Sequence, residues 1–129
     1  MIFGIGTDVV RIDRVGETYE RFGQRFVEHL LMPEELALFD GHQRPVRFLA
    51  MRFAAKEAIA KALGTGFAHG VWIRDVGFMP DRRGRPEVSF SARGRKVADQ
   101  FGVGEGHVSL SDEAGLVFAV AVLMRRPVA

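Results

Sequence analysis

The spacing of apolar and polar positions changes period several times along the chain, and each change predicts an element. Ile2 to Val10 has the rhythm of a strand, whose side chains point to opposite faces in turn. Phe3, Ile5, Thr7 and Val9 fall on one face, and Gly4, Gly6 and Asp8 on the other. From Arg11 to about Phe26 the spacing is helical, with Gly16 and Gly23 as weak points. Pro33 is placed to open a short helix through Phe39, and Pro45 a long one that ends at Gly64-Thr65-Gly66. Val71 to Met79 reads as a strand, Asp81-Arg82-Arg83-Gly84 as a turn, and Glu87 to Phe90 as a second strand. Ala92 to Phe101 is predicted helical and closed by Gly102. His107 to Ser111 and Leu116 to Met124 are predicted strands joined by the turn Asp112-Glu113-Ala114-Gly115. The order β-α-α-α-β-β-α-β-β, with hairpin links, implies an α+β fold: a mainly antiparallel sheet packed with helices. Residues 1–129 suit a single domain.

The long helix is the most informative segment. At about 100° per residue, Phe48, Met51, Ala54, Ala55, Ala58, Ile59 and Ala62 form a broad apolar arc, and Leu49, Phe53 and Ala60 a smaller one. Such a helix is contacted on more than one side. Glu57 lies nearly opposite the centre of the main arc, with Lys61 one turn on. On the first helix the same construction puts Ile12, Val15, Tyr19, Phe22 and Phe26 in one arc. Arg11, Arg14, Arg21 and Arg25 fill the arc beside it. That stripe is either a solvated face or a docking surface for an acidic partner. The last strand, Leu116 to Leu123, has few polar side chains on either face. One face can pack on helices, and the other needs cover from a subunit interface or a second core layer.

Composition narrows the class. With 47% hydrophobic and 26% charged residues the chain is neither disordered nor collagen-like. It has no cysteine, which excludes disulfides, a thiolate nucleophile and a Cys-rich zinc site. His29, His42, His69 and His107 are dispersed and lack zinc-site spacing. His107, Ser109, Ser111 and Asp112 crowd one strand with no GxSxG elbow, so a serine hydrolase is disfavoured. No apolar run reaches the ~18 residues of a membrane span. The N-terminus lacks the basic lead and apolar stretch of a signal peptide. The expectation is a soluble, cytoplasmic protein. The net charge is +2, and among the 18 basic residues only Lys56, Lys61 and Lys96 are lysines. Arginine's planar fork suits phosphate and carboxylate partners. A non-enzymatic nucleotide- or RNA-binding domain is therefore a rival reading, which binding without Mg²⁺ would favour. One Trp, one Tyr and no aromatic-basic ribonucleoprotein motif weigh against it. An inactive assembly subunit that keeps the fold is a third reading, opposed by intact Asp8, Glu57 and Lys61.

The candidate chemistry centres on two carboxylates. Gly4 and Gly6 leave room on the face where Asp8 points, and glycine inside a strand marks close approach by a ligand or another backbone. Making room for a helix is the plainer reading. Gly4-Ile5-Gly6-Thr7-Asp8 is not a dinucleotide fingerprint, because the third glycine is missing, and there is no Walker motif. Glu57 and Lys61 alone are an ordinary i,i+4 pair. Set beside Asp8, two carboxylates with few other polar groups suit a hard cation such as Mg²⁺, which completes its shell with water and phosphate. Lys61 would then neutralise phosphate, and Gly64-Thr65-Gly66 either lets a phosphate pass closely or ends the helix.

At these residues the sequence resembles a known family. Gly4 to Arg14 (GIGTDVVRIDR) and Arg52 to Gly66 (RFAAKEAIAKALGTG) look like the holo-[acyl-carrier-protein] synthases, the small trimeric 4′-phosphopantetheinyl transferases. The likeness continues in Asp81 to Pro86 and in the final HVSLSDEAGLVFAVAV. The resemblance implies the 4′-phosphopantetheinyl transferase fold. It also implies transfer of the phosphopantetheine arm of coenzyme A to a serine hydroxyl of apo-acyl carrier protein, in support of fatty acid biosynthesis. Asp8 and Glu57 would hold Mg²⁺, and Lys61 would sit at the phosphates. Arg52, Lys56, Gly64 and Pro86 would line the coenzyme pocket, and Arg14 and Arg21 would receive the acidic carrier protein. The active sites would lie between subunits of a homotrimer, with no nucleic acid or membrane involved. There are two departures: Asp112 stands where many members carry a histidine, and Arg85 where a lysine is common. For the reaction itself, Glu57 acting through a water is the expected general base.

Overall fold

The structure is a computed structural model that describes residues 1–128. Strand β1 (Ile2–Arg11) leads into α1 (Ile12–Phe22), α2 (Gln24–Leu30), α3 (Pro33–Phe39) and the long α4 (Pro45–Leu63). The hairpin of β2 (Val76–Pro80) and β3 (Pro86–Phe90) follows, then α5 (Ala92–Gln100), β4 (Val103–Glu113) and β5 (Leu116–Arg125). The strands form one sheet in the order β1-β5-β4-β3-β2, antiparallel at every pairing. This is the expected α+β architecture.

Helix α4 lies across one face of the sheet, and the reason is steric. A Cβ at Gly4 would stand 2.1 Å from the carbonyl oxygen of Ala62, and one at Gly6 would stand 2.0 Å from that of Ala58. Strand backbone meets helix backbone, with only alanines between. The glycines therefore make room for a helix, the plainer of the two expectations. The two contacts also fix a register: two residues up β1 equal one turn down α4, so the elements run in opposite directions. Asp8 follows on the same face of the strand and is carried to the turn that bears Glu57.

The helix side of the sheet is closed. Val117, Ala119, Ala121 and Leu123 of β5 are buried in one core with Leu49, Ala54, Ala55, Ala58 and Ile59 of α4. The opposite side is not. Ile5, Val9, Phe118 and Val120 are 59%, 54%, 43% and 41% exposed. Val9 faces Phe118 and Thr7 faces Val120 across the β1–β5 pairing, so these side chains form one continuous apolar surface.

Four predicted boundaries moved, each for a local reason. The first helix stops at Gly23, whose φ of 54° breaks the α-helical path, and α2 restarts beyond it. The strand expected from Val71 begins only at Val76. The Asp75 carboxylate accepts the Trp72 N–H at 2.9 Å and winds Ile73–Asp75 into a 3₁₀ turn. Strand β4 starts at Val103 rather than His107, through Gly104 and Gly106, and a Cβ at Gly106 would press on Leu123 at 2.5 Å. The expected turn Asp112-Glu113-Ala114-Gly115 is shorter than predicted, because Asp112 and Glu113 continue β4 opposite Val117 and Leu116, and only Ala114 and Gly115, both at positive φ, turn the chain into β5. Elsewhere the expected punctuation holds. Pro33 and Pro45 open α3 and α4, and Gly64 ends α4 in the left-handed conformation at φ 83°.

Candidate active site

Asp8 and Glu57 reach the same place from opposite directions. Lys61, one turn beyond Glu57, donates from Nζ to the Thr7 carbonyl at 3.0 Å and to Asp8 Oδ1 at 3.2 Å. Its side chain is 54% exposed, while that of Asp8 is 15% exposed. The Glu57 carboxyl is pushed above its ordinary range, first by burial and then by the charge of Asp8, with Lys61 opposing. Two carboxylates thus repel each other across a half-buried gap, with one exposed ammonium as compensation.

The donor set fits a hard divalent cation. Both donors are carboxylate oxygens, and a cation between them would relieve the repulsion that raises Glu57. Among the described residues, no group of three or more His, Cys, Asp or Glu side chains converges as an all-protein cage would require. Two carboxylates with the remaining positions left to water or phosphate oxygens is the pattern that suits Mg²⁺.

Gly64 caps α4 immediately after this cluster. A Cβ there would meet nothing within 4 Å, so its positive φ, not crowding, is what requires glycine. Pro86 lies elsewhere. With Arg85, Met51, Phe78, His107, Val108, Ser109 and Leu110 it lines a cavity of about 650 Å³ beside β4. None of Asp8, Glu57, Lys61 or Gly64 lines that cavity, so a single copy of the chain divides the expected site between two places.

Lys56 and Arg52 belong to neither place directly. Lys56 is completely buried and donates to Glu35 Oε1 at 2.5 Å and to the Val76 carbonyl at 2.7 Å. Arg52 is 6% exposed, donates to Glu35 Oε2 at 3.2 Å, and also hydrogen-bonds the Phe78 carbonyl. Burial lowers the pKa of both cations, against the pull of Glu35. The Lys56 ammonium has no surface to offer a ligand in this arrangement. Glu35 itself was not singled out from the sequence. The readable signal was a glutamate two residues after the helix-opening Pro33, placed to reach back to the Met32 N–H, which it accepts at 2.9 Å.

Asp112 is committed locally. Arg47 grips it with Nε at 2.7 Å and Nη2 at 2.9 Å, joining the first turn of α4 to the end of β4. This hydrogen-bonded pairing holds the Asp112 carboxyl below the usual range. On the other flank, Arg11 and Arg14 line a cleft of about 420 Å³ with Val9, Val10, Val15, Thr18, Phe26 and Phe53. The cleft adjoins Asp8 along the strand and Glu57 along the helix. Arg14 and Arg21 lie exposed on α1, and Arg25 falls on α2, so the predicted stripe bends at Gly23.

Comparison with known proteins identifies the family. Residues 4–121 match the 4′-phosphopantetheinyl transferase superfamily. A holo-[acyl-carrier-protein] synthase of Halorhodospira halophila is 45% identical over 124 residues, covering 96% of this chain and 98% of the relative. The crystal structure of holo-[acyl-carrier-protein] synthase from Neisseria meningitidis matches with a TM-score of 0.90 at 42% identity, covering 97% of this chain and 100% of that one. The Helicobacter pylori synthase in complex with coenzyme A matches with a TM-score of 0.80 at 30% identity, covering 93% and 99%. With paired carboxylates, a neighbouring lysine and this likeness over nearly its whole length, the chain belongs to the 4′-phosphopantetheinyl transferase superfamily, among the holo-[acyl-carrier-protein] synthases.

Proposed function

We propose that this protein transfers the 4′-phosphopantetheine arm of coenzyme A to a serine hydroxyl of apo-acyl carrier protein and releases adenosine 3′,5′-bisphosphate. The observation that carries the site assignment is the meeting of Asp8 and Glu57, residues of β1 and α4, with Lys61 bonded to Asp8. The serine oxygen forms a bond to the phosphorus that bears the pantetheine arm. The bond from that phosphorus to the bridging oxygen breaks, and the bisphosphate leaves with the bond's electrons.

Most catalysis of such a step is positioning and charge stabilisation. Asp8 and Glu57 would hold Mg²⁺, which supplies positive charge at the pyrophosphate oxygens. Lys61 is exposed and long enough to turn from Asp8 to a phosphate on the leaving side. Glu57 is the base in this reading and takes the serine proton through an intervening water. Gly64 lets the chain pass close to the phosphates, and Pro86 and Arg85 shape the cavity for the rest of the coenzyme. Arg14 and Arg21 present cations to the acidic carrier protein, and Arg14 also lines the cleft formed with Val9, Val10, Val15, Phe26 and Phe53.

The active enzyme is a homotrimer in this reading. Two features support it: the apolar outer face built from Ile5, Val9, Phe118 and Val120, and the division of the site between two places in one chain. A neighbouring copy would cover the first and complete the second. No helix among the described residues is long and apolar enough to cross a membrane. A cytoplasmic location and a role in fatty acid synthesis complete the proposal.

The test is mass spectrometry of apo-carrier protein after incubation with coenzyme A and this protein, with Mg²⁺ or with chelator. A metal-dependent gain of one phosphopantetheine arm supports the reading. No gain in either arm, with a folded protein and a competent carrier, overturns it.

A further inference from the structure

The largest group of buried charges is one the proposed chemistry does not use. Glu35 of α3 meets Lys56 and Arg52 of α4 where both helices face β2. The two cations also bond the carbonyls of Val76 and Phe78, on either side of Gly77. Gly77 is what admits the carboxylate, since a Cβ there would stand 2.9 Å from Glu35 Oε2. The Arg52 guanidinium lies 3.8 Å from the centroid of the Phe78 ring and 4.9 Å from that of Phe48. Phe78 in turn lines the 650 Å³ cavity with Arg85 and Pro86.

An apolar contact would hold β2 against α4 with less desolvation. It would not choose a register. Here each cation selects one backbone carbonyl, and a slip of one residue would turn both carbonyls away and carry Phe78 to the other face of the sheet. The arrangement therefore defines where the cavity wall stands relative to the helix that carries Glu57.

We propose that Glu35 is a positioning residue for the transfer. Through Lys56 and Arg52 it locks β2 to α4 and so sets the Phe78 wall of the coenzyme cavity, with Glu35 and Lys56 never touching the coenzyme. This rests on the reading that coenzyme A occupies that cavity.

The experiment is steady-state transfer kinetics, with coenzyme A and apo-carrier protein varied separately and coenzyme A also titrated against salt. Glu35→Gln alone strands two buried cations, so it is paired with Glu35→Gln/Lys56→Met, which restores the net charge of the group. Gly77→Ala displaces the carboxylate without removing any charge. The double variant and Gly77→Ala are each expected to raise the KM for coenzyme A about ten-fold, with kcat within about three-fold of the parent protein and the carrier KM unchanged. The salt dependence of the coenzyme KM should match that of the parent, because no phosphate contact has been lost. Folded variants with the parent KM overturn the proposal, as does a fall in kcat at constant KM. A flattened salt dependence overturns it too, because it would make Lys56 a direct ligand. Loss of the fold in both variants would make the group a general stability element and also overturn it. Absence of transfer by the parent protein sinks the parent reading instead.

Discussion

Helix α4 carries two polar pairs with the same i,i+4 spacing and opposite fates. Arg52 and Lys56 are sealed in the interior around Glu35, while Glu57 and Lys61 open to solvent beside Asp8. Lys56 and Glu57 are neighbours in sequence and differ by about 100° around the helix. That angle turns one toward β2 and the other toward β1. The buried set joins one carboxylate to two cations, and among the described residues no buried side-chain nitrogen or oxygen lacks a hydrogen bond. The open set holds two like charges and one exposed cation. The first arrangement is closed by its own partners, and the second is open to solvent.

The sharpest test of that contrast is Glu35→Gln. Removing one partner of a buried ionic group leaves uncompensated charge, and the expected loss is about 3–5 kcal/mol of unfolding free energy by chemical denaturation. An effect below about 1 kcal/mol would show that water reaches the group and would erase the distinction. On the open side, Asp8→Asn and Glu57→Gln should each lower transfer at least about 100-fold, roughly 2.7 kcal/mol of barrier, in the mass-spectrometric assay. Turnover by Glu57→Gln within a few-fold of the parent at saturating Mg²⁺ would remove Glu57 from the role of base.

Gly6→Ala addresses what brings the open set together. The added methyl would press on the Ala58 carbonyl, so α4 must lift from β1 at a cost of about 1–3 kcal/mol. Transfer should fall further than the stability loss alone explains, because Asp8 and Glu57 part. Arg14→Glu lies outside both sets. It is expected to raise the carrier-protein KM about ten-fold, to weaken its salt dependence, and to leave the coenzyme KM unchanged. Equal damage to both substrates would indicate misfolding.

The smallest effect has the most specific sign. The Glu57 pKa is raised in the folded state, so its contribution to stability is fully present below the ordinary value of 4.5 and is lost as pH rises through the raised value. Above that, the ionised carboxylate beside Asp8 is a net cost. In chelator at pH 7.5, Glu57→Gln should therefore raise Tm by about 1–3 °C, and the difference should vanish near pH 4. A lower Tm at pH 7.5 would mean that Lys61 outweighs Asp8 and burial together.

Much of the site was readable before the fold. The alternation of Gly4, Gly6 and Asp8 was enough to put the carboxylate on the side of the strand that meets another element, and the structure puts α4 there. Glu57 and Lys61 were separated from the apolar arc by angle alone. The wheel was less informative about Lys56. It reports direction around the helix and nothing about what stands opposite, and the family resemblance alone set Lys56 at the coenzyme pocket, whereas Glu35 holds it in the interior. Glu35 went unnoticed because its partners lie 17 and 21 residues away in sequence.

Local pattern, then, was sufficient to determine the strands and most of the helices, because side-chain period, proline at helix starts and glycine at positive φ act over a few residues. It also showed β5 to be apolar on both faces, so that one of them needs cover, and the fold decided that the face with Phe118 and Val120 is the open one. Only the tertiary structure decided which charges would be buried. Desolvation is set by the elements packed around a group, and the balance between Lys56 sealed against Glu35 and Lys61 left in water depends on where β1, β2 and α3 come to rest against one helix.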